Sequence, residues 1–353
     1  MTANSKSVGV IGAGSFGTAV SNILAQNSDV ILYVRTAEKA EEINRSKLSS
    51  GQTISENIVV TSDLEEVVKE CEVIFPVVPS YSFRSVIKKL SPLLHPYHIL
   101  IHGTKGLDFK HTSKSGEKIQ VDQVMTMSQV IRDESDVVRI GCIAGPNLAK
   151  ELYQKYPAAT VIASPFKEVI KTGQKLLRND RFQVYESNDL VGIELCGVLK
   201  NIIAIASGAL SGLGYGENSR SLLVSRGLVE MIQIGKMMGG RIESFIGLAG
   251  VGDLFATSSS TLSRNYNVGY KLAKGETLDE IIKQSEEVAE GINTIKIIKG
   301  LLDSNKNVRA LITEKLYDVL FEGESIQDTV EMLMKFPLSI DIDLTMLYPE
   351  EQI

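Results

Sequence analysis

Residues 8–27 read "VGVIGAGSFGTAVSNILAQN", and this stretch decides the fold. An apolar run ends at Gly12, then Gly12, Gly14 and Gly17 stand in G-x-G-x-x-G register, and the apolar spacing changes to that of an amphipathic helix. Gly12 permits a tight turn, Gly14 lets a pyrophosphate approach the backbone, and Gly17 lets helix and strand pack closely. The helix N-terminus then faces the anion. Such a glycine triplet is weak by itself and becomes specific when it opens a chain of strand–helix units. It implies a dinucleotide site.

Reading outward, short β-branched runs at 30–34, 73–77, 99–102, 138–144 and 160–163 alternate with helical patterns such as 16–26 and 81–94. That alternation predicts a Rossmann-type α/β domain with a mostly parallel sheet covered on both faces. After a run at 182–185 the strand signal stops, and helical periods follow at 219–238, 277–283, 291–302 and 313–320. The expected organisation is a nucleotide-binding domain over 1–187, an all-helical substrate and catalytic domain over 188–340, and a tail over 341–353.

The 353 residues suffice for two cores. A net charge of −6 and an isoelectric point near 5.5 offer no footprint for nucleic acid or anionic lipid, so a small-molecule partner is expected. Cys71, Cys142 and Cys196 lie far apart in apolar runs and form no C-x-x-C, which fits buried free thiols in a reducing cytoplasm. The N-terminus has no apolar signal core. Residues 195–216 form a low-charge run, but Lys200, Asn201 and the glycines make a core helix the better reading than a membrane span.

Several residues stand out for chemistry. The second strand ends at Arg35, where an acidic residue would grip a ribose 2′-hydroxyl; an arginine suits the 2′-phosphate of NADPH. "HILIHGTKGL" delivers Lys105 between two glycines at a strand end, and "GCIAGPNLAKEL" places Asn147 as a helix N-cap. His95, His98 and His102 resemble metal spacing, but Pro96 breaks any helix that would align them, and no metal is expected. "LCGVLKNIIAIASGAL", residues 195–210, buries a lone charge, Lys200, on a face lined by Gly197, Ala204 and Ser207. These small neighbours predict an open groove above the ammonium, and exchange of Lys200 for Met is expected to relieve a buried charge. Downstream, Asp253 on "GLAGVGDLFAT" could orient a lysine, and Arg264 with Asn265 in "SSSTLSRNYNVG" has the character of an anion clamp.

The segments "GAGSFGTA", "GTKGL", "GPNLAKEL", "LKNIIAIASGALSGLGYGENSRSLLVSRGLVEM", "GLAGVGDL", "SRNYNVG" and "VAEGINT" together resemble the soluble NAD(P)-dependent glycerol-3-phosphate dehydrogenases of bacterial type, from about residue 8 to about residue 323. The resemblance implies a helical second domain of the 6-phosphogluconate dehydrogenase-like kind. It also implies reversible reduction of dihydroxyacetone phosphate to sn-glycerol 3-phosphate with NADPH or NADH, for glycerophospholipid synthesis. On that resemblance Lys200 is the acid/base at the C2 oxygen, and Asn201, Asp253 and Thr257 line its pocket. Lys105, Ser263, Arg264 and Asn265 hold the substrate, with Gly145 and Asn147 beside them. Ser15, Phe16, Arg35, Lys105, Ala149, Arg264, Val288 and Glu290 fall where the family touches its cofactor. Two departures stand out: asparagine replaces the serine common in bacteria at position 147, and "NVRALITEKLYDVL" lacks the proline usual before its helix.

Rival readings are another two-domain reductase, acting on a ketoacid or opine, and a non-catalytic NADPH sensor. The SRN turn and two lysines favour a phosphorylated substrate over the first. The joint presence of Lys200, Asp253 and Arg264 speaks against the second. Oligomeric state is not legible, although a homodimer is compatible with the sequence.

Overall fold

The computed structural model describes residues 7–110, 118–284 and 289–335. The expected tail at 341–353 lies outside the described residues, as does Val288. The chain divides into two compact units, residues 1–108 with 125–194 and residues 109–124 with 195–353.

The first unit is built on an eight-stranded sheet. Its strands are β1 (Ser7–Ile11), β2 (Val30–Tyr33), β3 (Ile58–Thr61), β4 (Cys71–Pro76), β5 (Ile99–His102), β6 (Arg139–Ala144), β7 (Ala158–Ala163) and β8 (Phe182–Ser187). They lie in the order β8-β7-β6-β5-β4-β1-β2-β3. Every neighbouring pair is parallel except β6 and β7. The edge strand β3 is the one the sequence pattern did not reveal, being short, with Val59 exposed. The order turns back at β1, with β2 on one side and β4 on the other, so the carboxyl ends of β1 and β4 border the crevice where ligands of such sheets bind.

Side-chain alternation sends Val8 and Val10 of β1 to one face and Ile11 to the other. The first face packs against α1 (Ser15–Leu24) through Val20, Ile23 and Leu24, and against helix Lys167–Leu177 through Val169, Ile170 and Leu177. The second face receives Val67 and Val68 of helix Leu64–Glu70, Phe83, Ile87 and Leu90 of helix Ser80–Leu90, and Val130 and Ile131 of helix Met127–Glu134. Two apolar layers therefore sandwich the sheet, and each fully buried Ile, Leu or Phe adds about 1.5–3 kcal/mol.

Among its described residues the second unit is helical, apart from Phe109 and Val124 at its margin, which belong to short strands. Its central element is α2 (Leu190–Gly212), the single helix among the described residues long and apolar enough to cross a membrane. Its apolar window is 94% buried inside the protein, as expected of a core helix with no polar face. The partition between units runs through α2, slightly after the strand pattern stops. The reason is Glu194, which accepts from Thr126 Oγ1 at 2.9 Å and from Ser128 N at 2.8 Å and so holds the first turns of α2 to the sheet unit. The other helices used below are α3 (Glu217–Met237), α4 (Asp253–Ser259), α5 (Arg264–Ala273), α6 (Glu290–Ser304) and α7 (Leu311–Tyr317).

Candidate active site

In the sheet unit, the glycine-rich turn joins β1 to α1 as the sequence predicts. Gly12 has φ +115°, and a Cβ there would stand 2.4 Å from Val77 O. A Cβ on Gly17 would stand 1.9 Å from Gly12 O, so both positions are closed to larger residues by the protein's own backbone. Gly14 differs, since a Cβ there would meet nothing within 4 Å. Its smallness answers no internal packing need, which fits a place reserved for the close approach of a ligand. Gly14 is the N-cap of α1, directly before Ser15 and Phe16. The ring of Phe16 lies against Gly103, where a Cβ would come within 3.0 Å of it.

Arg35 is exposed just past β2, beside the N-cap of helix Ala37–Ser46, where Thr36 accepts from Lys39 N. Lys105 is half-buried in the turn after β5, next to Thr104, whose hydroxyl donates to Val78 O at 2.7 Å and ties this turn to the one after β4. Gly145 follows β6, where a Cβ would be 3.1 Å from Ala159 O. Asn147 does not cap the following helix. Leu148 is the N-cap of Ala149–Tyr153, without a side-chain bond, and Asn147 Nδ2 donates instead to Ala159 O at 2.8 Å. The antiparallel β6–β7 ladder ends at Val161, so the carbonyl of Ala159 would otherwise lack a partner on that side.

In the helical unit, Lys200 is buried near the middle of α2. Its ammonium donates to Thr257 Oγ1 and lies 3.2 Å from Asp253 Oδ1, while Thr257 Oγ1 donates to the same carboxylate oxygen at 3.2 Å. Asp253 and Thr257 share a face because they stand one turn apart on α4, which opens from a short π-helical turn, Leu248–Gly252. A Cβ on Gly250 would fall 1.9 Å from Phe245 O, so glycine is needed to bring the chain into this turn. The space above Lys200 is therefore not an open groove. The ammonium instead faces α4, and Ser207 donates to Ser258 O at 2.7 Å to fix that helix there.

α5 crosses α2 at backbone contact, since a Cβ on Gly208 would lie 1.9 Å from Tyr266 O and one on Gly269 would lie 1.8 Å from Ile205 O. Ser263 caps α5 by accepting from Tyr266 N at 3.2 Å, and Arg264 stands exposed at its first position. Asn265, also buried, accepts from Gly291 N at 3.0 Å at the start of α6, beside Glu290. A Cβ on Gly291 would meet Asn265 Oδ1 at 2.6 Å and Asn201 O at 3.0 Å, so Asn201, Asn265 and the α6 N-terminus converge. The helical unit thus brings together Lys200, Asp253 and Thr257, and separately Asn201, Asn265 and the α6 N-terminus at Glu290, with Ser263 and Arg264 directly before Asn265 at the start of α5.

Sequence reasoning missed the surroundings of Glu194. His102, set aside as a metal candidate, is buried with Nε2 3.0 Å from Glu194 Oε1, though off the direction of a hydrogen bond. No motif links residues so far apart in the chain.

Residues 7–170 match the family described as NAD-dependent glycerol-3-phosphate dehydrogenase N-terminus, and residues 189–331 match its C-terminus. The chain is 39% identical over 346 residues to glycerol-3-phosphate dehydrogenase [NAD(P)+] of Teredinibacter turnerae, covering 97% of this chain and 98% of that one. It is 38% identical to the protein of the same name from Saccharophagus degradans, covering 96% and 92%. The crystal structure of glycerol-3-phosphate dehydrogenase from Coxiella burnetii matches with a TM-score of 0.84 at 30% identity, covering 94% of this chain and 99% of that one. By sequence along nearly its whole length and by fold, the chain belongs to the NAD-dependent glycerol-3-phosphate dehydrogenases.

Proposed function

We propose that this chain reduces dihydroxyacetone phosphate reversibly to sn-glycerol 3-phosphate, with Lys200 as general acid toward the C2 oxygen. The observation that carries this is the buried Lys200–Thr257–Asp253 triangle. A carboxylate 3.2 Å away favours the ammonium form, which is the form able to donate a proton. When bound, NADPH or NADH supplies the hydride. Lys200 stabilises charge developing on the substrate oxygen and then gives up its proton, while Thr257 and Asp253 hold its side chain in place. In the reverse direction the neutral amine takes the proton back.

In this reading the sheet unit holds the cofactor through Gly12, Gly14, Ser15, Phe16 and Gly17, with Arg35 at the 2′-phosphate and Lys105 and Ala149 nearby. The helical unit holds substrate through Ser263, Arg264 and Asn265. Arg264 at the start of α5 adds the positive end of a helix to its guanidinium, a pairing suited to phosphate. The family resemblance adds Lys105, Gly145 and Asn147 as substrate residues and Glu290 as a cofactor residue. The place of action in this reading is the cytoplasm, where the buried thiols of Cys71, Cys142 and Cys196 stay reduced. The product feeds glycerophospholipid synthesis.

The test is absorbance at 340 nm with NADPH and NADH against dihydroxyacetone phosphate and unphosphorylated dihydroxyacetone. Turnover is expected with the phosphorylated ketone, NADPH serving at least as well as NADH. Arg264→Ala should lower kcat/KM for that ketone by roughly 2–5 kcal/mol in transition-state terms and narrow the gap between the two substrates. A variant that keeps the full preference removes Arg264 from the phosphate site.

A further inference from the structure

A two-stranded hairpin, Leu48–Ser49 paired with Gln52–Thr53, lies against the glycine-rich turn. Its two-residue loop is Ser50-Gly51, with φ +47° and +72°. Positive φ at both loop positions is the requirement of a type I′ turn, which asparagine or glycine meets with least strain. A serine in the left-handed region is an anomaly that asks for a cause.

The cause is the direction of its side chain. Ser50 Oγ donates to Ala13 O at 2.8 Å. Ser49 and Thr18, both buried, contact each other at 2.9 Å, and each hydroxyl also stands 3.4 Å from the same carbonyl. Gln52 Nε2 donates to Ser15 O at 3.1 Å. Ala13 is the residue between the first two glycines of the turn. In a trans peptide the N–H of Gly14 points opposite to the carbonyl of Ala13. Fixing that carbonyl toward the hairpin therefore fixes the Gly14 N–H away from it.

We infer that Ser50, with Ser49 and Thr18, forms a hydroxyl clasp that pre-orients the Ala13–Gly14 peptide for the pyrophosphate of the dinucleotide. Ser50 is a positioning residue acting through Ala13. The inference rests on the reading of the glycine turn as the cofactor site. Its physical content is preorganisation: a peptide already held in the binding orientation loses less freedom when the anion arrives. The pyrophosphate is common to NADH and NADPH, so the clasp serves both equally.

The experiment is fluorescence titration of NADPH and NADH into the full chain, paired with melting of the cofactor-free protein. Ser50→Gly relieves the left-handed strain, so its melting temperature should hold or rise. Its Kd for both cofactors should nevertheless weaken by about three- to tenfold, the usual worth of one hydrogen bond. Binding of 2′-AMP, which has no pyrophosphate, should not change. Ser50→Asn tolerates the left-handed region, can donate through Nδ2, and should recover most of the affinity. A merely structural serine would make affinity follow stability, whereas the clasp makes them part. Ser49→Ala leaves the loop residues intact and gives a second reading should Ser50→Gly fold poorly. Gly14→Val is the control for the site itself, since its φ of −72° accepts any residue. Loss of binding in Gly14→Val with wild-type affinity in Ser50→Gly and Ser49→Ala overturns the clasp alone. Undiminished binding in Gly14→Val overturns the site, and the clasp with it.

Discussion

Lys200 shows how far one residue is legible before its partners are known. Read in sequence, a lone charge in an apolar helix suggests that methionine there removes a burden. The structure reverses this expectation, because Asp253 is only 2% exposed and has the ammonium 3.2 Å away. Removing one member of a buried pair strands the other, at a cost of roughly 3–5 kcal/mol. Lys200→Met should therefore lower stability in urea unfolding, and adding Asp253→Asn should restore part of it. Turnover should fall by about two to four orders of magnitude in both variants, the usual worth of a positioned acid. Turnover within tenfold of wild type in Lys200→Met would make Lys200 a tolerated core lysine and move the acid role to Lys105. Unchanged stability would mean that Asp253 finds another partner.

At the scale of elements, α3 and α7 are joined by a carboxylate that no local pattern announces. Glu230 on α3 accepts from Ile312 N at 2.7 Å, Thr313 N at 3.2 Å and Thr313 Oγ1 at 3.1 Å. It thereby caps the α7 N-terminus, whose own N-cap residue, Ala310, offers no side-chain bond. Burial pushes the Glu230 carboxyl up to about 7, with Glu314 adding to the rise and the bonds from Ile312 and Thr313 opposing it. A carboxyl raised on folding holds its proton longer in the folded state, so its contribution is fully present below about pH 4.5 and is lost as pH rises through about 7. Wild-type stability should fall between pH 5 and pH 8 by up to about 3 kcal/mol more than that of Glu230→Gln, which cannot titrate. Parallel pH profiles for the two proteins would show that Glu230 does not titrate in this range.

At the scale of the whole molecule, the residues assigned to cofactor pyrophosphate and the acid Lys200 belong to different compact units. A ligand that binds the folded state alone stabilises it by about 2.7 kcal/mol at one hundred times its Kd. NADPH at that level should raise the melting temperature of the wild type in calorimetry. Lys200→Met should keep the shift from its lower starting point, and Gly14→Val should lose it. A Lys200→Met protein with no NADPH shift would show that the helical unit's lysine is needed for cofactor binding as well as chemistry.

The sequence by itself determined what depends on local period and on special residues. β-branched runs and glycine spacing located seven strands of the sheet and the nucleotide turn, because a buried parallel strand and a G-x-G-x-x-G turn leave marks within a few residues. Lys200 stood out because a charge in an apolar run is costly without a purpose, Asp253 as a carboxylate on a glycine-rich loop able to orient a lysine, and Arg264 as an anion-binding side chain in a polar turn. Tertiary structure alone decided which of these residues meet. The fit of α4 over Lys200, the crossing of α5 on α2 at Gly208 and Gly269, the carboxylate caps of Glu194 and Glu230, and the turn of Asn147 toward Ala159 all join residues distant in the chain. The physical reason is that a buried polar group takes whatever partner the fold brings within about 3 Å, and one sequence does not show that distance.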